Sequence, residues 1–273
     1  MHVPPDALSL KVAAKNATVW TLIDVHQYSS ELHRLRNTDF KSLWSGNDYV
    51  SVHLNGAVWN HFVQNDYLWE AGEKYSLNRY SKRQLFELVI REFFSTPTPA
   101  LGSFVVENYA RLPVSYQIGL QMRIGGQWGD GNRYAGDKKS VASCFMSETL
   151  KTCQAWVPAR NCSVFLTTDD PEAGAIVSAA LQSHGIVVVQ SAGTTVHSEK
   201  SDGAESDHLK PFGDWYILSL MSRLVASRSG FSETASWFGN VPSRALTKVS
   251  TCLFTDESTD IPDGAELFQT EAH

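Results

Sequence analysis

An arginine, two adjacent aspartates and a serine-rich turn each close an apolar run in this sequence, and anion binding is the chemistry they have in common. Gln121-Met122-Arg123-Ile124-Gly125-Gly126 ends the first run. A guanidinium at the end of a buried strand is costly unless an anion partners it, either a bound phosphate or an internal carboxylate. Thr167-Thr168-Asp169-Asp170-Pro171 ends the second run. Asp170 followed by Pro171 has the form of a helix N-cap with a first-turn proline, so at least one carboxylate of the pair is open to a capping role. Ser227-Arg228-Ser229-Gly230-Phe231-Ser232 ends the third. Small residues between a strand and a helix direct several backbone N–H groups at one place, and the helix dipole adds to them. Phosphate suits such a place; an ordinary turn with a serine N-cap is the plain alternative.

The elements that must position these residues alternate. The pattern predicts strands at Tyr116–Ile124, Ser163–Thr168, Gly185–Gln190 and Leu224–Ala226. Between and after them it predicts helices at Lys139–Trp156, Glu172–Ser183, Asp214–Ser222 and Glu233–Phe238, with a polar surface loop over Val196–Lys210. Strands alternating with helices of this length imply an α/β fold, a Rossmann-type parallel sheet with helices on both faces. Ligands bind such sheets beyond the carboxyl ends of the strands, where all three segments fall.

Upstream, strands are expected at Ala17–Asp24 and Asp48–Leu54, and helices at His26–Arg36 and around Trp59, Phe62 and Val63. Ser81–Phe94 reads as an amphipathic helix with Leu85, Leu88, Val89 and Phe93 on one stripe. Thr96-Pro97-Thr98-Pro99 punctuates it and marks the expected domain boundary, with residues 1–96 as one half and 97–273 as the other. A further helix runs from there to Leu112, and the acidic tail after Asp256 is expected to be loosely held.

Composition narrows the function classes. A chain of 273 residues with 42% hydrophobic and 19% charged residues can bury a substantial core. A net charge of −6 without a Lys/Arg run argues against nucleic acid as a partner. No segment approaches a membrane span, and the opening MHVPPDALSLK lacks the pattern of a signal peptide, so no membrane contact is expected from this segment. The four cysteines form no CxxC pair, which makes a zinc site unexpected, and Cys144 and Cys153, nine apart, need not be bonded to each other. Two sequons, Asn16-Ala17-Thr18 and Asn161-Cys162-Ser163, are compatible with a secretory protein. Gly125 to Gly131 follows a strand but does not match G-x-G-x-x-G, and neither a Walker lysine nor a G-x-S-x-G elbow is present. Dehydrogenase, ATPase and hydrolase readings are therefore weak.

Taken in order, IGLQMRIGG, VFLTTDDPEAGAIVSAAL and DWYILSLMSRLVASRSGFSETA resemble the three motifs of the inverting fucosyltransferases. That superfamily includes the α1,6-, α1,2- and protein O-fucosyltransferases and the plant xyloglucan enzymes. The resemblance runs from Pro97 to Phe238. It implies a GT-B architecture in which residues 97–273 form the donor-nucleotide-binding domain and residues 1–96 a smaller or incomplete acceptor-side half, because the glycine-rich turn that opens that half in the family is not visible. It implies transfer of fucose from GDP-fucose to a glycan or protein hydroxyl with inversion, with no metal and no cofactor, in the secretory pathway or Golgi lumen if the protein is eukaryotic and in the cytoplasm otherwise.

Carried over by position, Arg123 would meet the donor β-phosphate, and Asp169 or Asp170 would hold the guanine edge. Ser229, Gly230, Phe231 and Ser232 would surround the pyrophosphate and fucose, with Gly125 also among the donor-binding positions. Gln121 replaces the histidine that the α1,6 and α1,2 branches have two residues before the arginine, as in the xyloglucan-type branch. For the general base, which must take the acceptor proton on the face opposite GDP, Asp130 is the first choice and Asp137 the second. The competing readings are a catalytically silent GT-B relative that binds glycans or serves as a scaffold, and a transferase using another nucleotide sugar. GDP binding separates the first of these from an enzyme.

Overall fold

The computed structural model describes residues 82–113, 116–125, 138–156, 162–193 and 205–257, two short strands at 17–22 and 49–54, and residues 37, 39, 42, 65, 67, 74 and 80. The expected helices at His26–Arg36 and around Trp59 lie outside these residues, as do Asp130 and Asp137. The chain divides into two compact units, Met1–Phe94 with Ile261–His273, and Ser95–Asp260. In the first, β1 (Ala17–Leu22) pairs in parallel with β2 (Tyr49–Leu54), and α1 (Lys82–Phe94) carries an Arg83–Glu87 ion pair one turn apart. Leu88, expected on the buried stripe of that helix, is exposed.

The second unit opens with α2 (Pro99–Tyr109), whose start is fixed locally: Pro99 occupies the first turn and the Thr98 hydroxyl accepts from Leu101 N–H at 3.3 Å. There follow β3 (Tyr116–Met122), α3 (Lys138–Trp156), β4 (Cys162–Thr168), α4 (Pro171–Ser183), β5 (Val187–Val189), α5 (Glu205–Ser219), β6 (Arg223–Ser227) and α6 (Gly230–Gly239). Two strands for which the sequence pattern gives no expectation complete the sheet, β7 (Ser243–Lys248) and β8 (Leu253–Glu257), joined by a 3-10 turn at Val249–Thr251. The order across the six-stranded sheet is β5-β4-β3-β6-β7-β8, all neighbours parallel except β8, which runs antiparallel to β7.

Strands covered on both faces read as near-continuous apolar runs, and β4 is buried from Cys162 to Thr167. On one face Ile118, Leu120, Met122 and Ile124 pack with Val141 and Phe145 of α3, Val177 and Leu181 of α4, and Leu246 and Phe254 of the last two strands. Each fully covered aliphatic side chain of this layer contributes about 1.5–3 kcal/mol. Gly119, of opposite parity on β3, faces Leu218 of α5, and α5 in turn packs on α2 and α6. At Gly239 the end of α6 lies against the end of α5: a Cβ there would stand 1.8 Å from the Ser219 carbonyl oxygen.

One expectation is corrected. The Val196–Lys210 loop is shorter than expected, because α5 begins at Glu205 rather than Asp214 and carries Pro211 inside it. A polar first turn and an internal proline mask the helix in the sequence, while the buried Asp214–Ser219 stretch supplies the packing that holds it. The tail after Asp256 lies, beyond Glu257 at the end of β8, outside the described residues. The cysteines pair as Cys144–Cys252 and Cys153–Cys162. Both bonds leave from α3, one toward the β7–β8 connection and one toward the start of β4.

Candidate functional site

From β3 the chain winds outward to β4 and β5, then returns to the other side of β3 and continues through β6 and β7. The winding reverses between β3 and β6, which is where a doubly wound sheet opens a crevice at its carboxyl ends. Register brings the three sequence segments side by side there: Met122 pairs with Thr168, and Gln121 with Ala226.

Beyond Met122 the β3 backbone leaves the ladder, and side chains from both flanking strands take over its N–H groups. Arg123 N–H donates to Ser227 Oγ of β6 at 2.8 Å. Ile124 N–H donates to Asp169 Oδ1 at 2.8 Å and Gly125 N–H to Asp169 Oδ2 at 3.0 Å. Gly125 has φ of 82°, a conformation that suits glycine. Successive N–H groups in such a turn would otherwise form an anion nest, and the Asp169 carboxylate fills it. Arg123 itself is half-buried at the rim.

Asp170 faces the other way. Its Oδ1 accepts from Ala173 N–H at 3.0 Å, capping α4, and its Oδ2 lies 2.7 Å from Lys138 Nζ. Burial, the largest influence, pushes its carboxyl up. The Lys138 hydrogen bond, the Ala173 N–H and the Lys138 charge together outweigh it and hold the pKa below the ordinary value. The capping role open to one carboxylate of the pair thus falls to Asp170, which is 3% exposed, while Asp169 remains half-exposed.

The Ser229–Ser232 turn is the N-terminus of α6. Ser229 caps it, and Glu233 N–H donates to Ser229 O at 3.0 Å. Ser232 is fully buried, its hydroxyl donating to Ser227 O at 2.9 Å, so it ties the helix to β6 rather than lining a surface. Gly230 is exposed, and a Cβ there would meet nothing within 4 Å. The N–H groups of the first helical residues have no acceptor within an α-helix, and here that first turn starts at the exposed Gly230.

Beneath this rim lies a polar cluster that the sequence motifs do not single out. Asp214 of α5, 2% exposed, accepts from Thr167 Oγ1 at 2.8 Å and from Ser191 Oγ, and pairs with Lys210 Nζ at 2.9 Å. The Lys210–Asp214 spacing of four on one helix is the signal that could have found it. On the same layer of β3, the buried amide oxygen of Gln121 has no hydrogen-bond partner. Among the described residues no group of three or more His, Cys, Asp or Glu is placed to hold a metal ion, and no helix is long and apolar enough to cross a membrane.

No protein-family model and no curated protein matches the chain. Solved structures do. A GDP complex of an arginine-to-lysine mutant of Arabidopsis thaliana FUT1 matches with a TM-score of 0.58 at 18% identity, over 85% of this chain and 50% of that one. This chain spans about half the length of that protein. A second match, to the NodZ α1,6-fucosyltransferase co-crystallised with GDP, has a TM-score of 0.40 at 15% identity, over 78% of this chain and 57% of that one, and is too distant to carry weight. The fold is therefore the mixed α/β, GT-B-like one of the FUT1 structure, built here around the six-stranded, mostly parallel sheet.

Proposed function

We propose that this chain is a glycosyltransferase that takes fucose from GDP-fucose to a glycan or protein hydroxyl, with inversion and without a metal ion. The observation that carries the reading is the convergence, at the switch point of a sheet whose fold matches a GDP-bound FUT1, of Arg123 with the open N-terminus of α6. A guanidinium fork and unpaired helix N–H groups stabilise the charge that develops on GDP as its bond to fucose breaks, and they act most where that charge is largest. Gly230 and Phe231 donate to the pyrophosphate, with Gly125 and Ser229 beside it. Asp130, or failing it Asp137, takes the proton of the acceptor hydroxyl from the opposite face.

Each Asp169 oxygen keeps a second lone pair beyond its backbone bond, so this half-exposed carboxylate can still accept from guanine N1–H and N2–H2. Asp170 is the poorer choice, being buried and held by Ala173 and Lys138. Residues 1–96 form the acceptor side. Two disulfides favour folding in an oxidising compartment, which supports the lumen of the secretory pathway.

The test is a thermal shift against GDP, UDP, CMP and ADP. GDP at a hundred times its dissociation constant should stabilise the chain by about 2.7 kcal/mol. Equal stabilisation by UDP would remove guanine recognition; no response to any nucleotide would favour the silent scaffold. Turnover lost to EDTA and restored by Mn²⁺ would overturn metal independence.

A further inference from the structure

We propose that Asp169 and Ser227 are positioning residues: from the strands on either side of β3 they clamp the backbone of Arg123, Ile124 and Gly125 and so aim Arg123 at the terminal phosphate of a nucleoside diphosphate. The inference rests on the donor reading above and adds the device that makes Arg123 selective for that phosphate. Three consecutive backbone N–H groups stand beyond the last ladder pair, and every one ends on a side chain, two on Asp169 and one on Ser227. The partners lie 45, 44 and 104 positions away in the sequence, so the clamp is tertiary. Ser227 is fully buried and its hydroxyl is also 3.4 Å from Arg123 O, which places it against both polar groups of the arginine's own peptide units. Asp169 N–H in turn donates to Met122 O at 3.4 Å, closing a ring between the ends of β3 and β4.

Backbone fixed on both sides sets where the arginine's side chain starts and so narrows the region its guanidinium can reach. Preorganisation of this kind acts on the contact made by the arginine and not on the rest of the ligand. GDP and GMP differ by the phosphate in question, so their affinity ratio reads the arginine contact. Loss of a guanine contact or a general loosening of the site would weaken both nucleotides alike.

The experiment measures GDP and GMP affinity by calorimetry for wild type, Asp169→Asn, Ser227→Ala, Arg123→Ala and the two double variants with Arg123→Ala, with unliganded melting temperature alongside. Wild type should prefer GDP. Ser227→Ala should lose about three- to tenfold in GDP affinity, the scale of one or two hydrogen bonds, with GMP affinity unchanged; Asp169→Asn, which also alters the guanine acceptor, should weaken GMP and weaken GDP by about three- to tenfold more. In the Arg123→Ala background Ser227→Ala should cost less than about twofold, and Asp169→Asn should cost GDP no more than GMP, the signature of residues acting through one another. Equal losses for GDP and GMP, or a GDP-selective loss undiminished once Arg123 is gone, would overturn the clamp while leaving the donor reading standing. A wild-type chain that binds neither nucleotide would overturn both. Ser227→Ala removes only a buried hydroxyl, so it serves as the second arm if Asp169→Asn folds poorly.

Discussion

At the amino ends of β6 and β7, arginines are closed by carboxylates. Arg223 Nη2 lies 2.9 Å from Asp256 Oδ1, and Arg244 Nε lies 3.2 Å from the same oxygen. Arg244 Nη1 pairs with the buried Glu148, and its Nη2 donates to Phe254 O at 3.1 Å. At the carboxyl end the same residue types are used differently. Asp169 and Asp170, at the end of the neighbouring β4, turn to Ile124 and Gly125 N–H, to Ala173 N–H and to Lys138. An arginine whose charge is cancelled by neighbours fastens β8 and α3 to the sheet. At the carboxyl end Asp169 and Asp170 instead hold backbone and Lys138, and it is the backbone of Arg123, through Ser227, that the sheet fixes.

The largest test of that contrast is Arg123→Lys. It keeps the charge and loses the fork, and it should lower fucose transfer roughly 100- to 1000-fold, near the loss for Arg123→Ala, with unliganded melting temperature unchanged. A stable Arg123→Lys protein with near wild-type transfer would make the carboxyl end as purely structural as the amino end. Arg244→Met is the converse. It leaves Glu148 buried without its cation, and with Arg244 itself 30% exposed, the cost should be about 2 kcal/mol of stability by denaturant titration, with GDP affinity unaltered. A drop in GDP affinity at constant stability would show that the two ends are coupled.

The smallest effects are in pH. Asp170, held below the ordinary 3.8, contributes stability that is present above its unfolded pKa and lost as pH falls through the folded value. Asp170→Asn should flatten the stability decline below about pH 4. Glu257, on β8 beside Ser243, is pushed above its ordinary 4.5, first by burial and then by the Glu233 charge, against the Ser243 hydrogen bond and Arg228. Its contribution is present below the unfolded pKa and lost as pH rises through the folded one. Glu257→Gln should therefore raise the melting temperature at pH 7 and not at pH 4. Identical pH profiles for the two variants would mean that the two carboxyls do not differ in environment.

Local pattern determined much of this protein. The core of the second unit alternates as its apolar runs predict, β3, β4 and β6 sit under the expected segments, and Asp170 with Pro171 opens α4 where the dipeptide says it should. Capping and hydrophobic period are properties of neighbours along the chain, so the sequence alone can show them. The same logic misses β7 and β8, whose mixed polar pattern reflects one sheet edge half open to solvent, and the first turns of α5, held by packing that starts at Gly213. Four cysteines allow three pairings, and only the fold brings Cys144 to Cys252 across 108 positions. The site divides the same way. The sequence determined that an arginine, two aspartates and a serine turn end three strands. That Asp169 holds the arginine's strand, that Ser227 meets Arg123, and that Asp214 meets Thr167 and Ser191 beneath them, were decided by the tertiary structure, because hydrogen-bonding partners so far apart in sequence meet only once the sheet has formed.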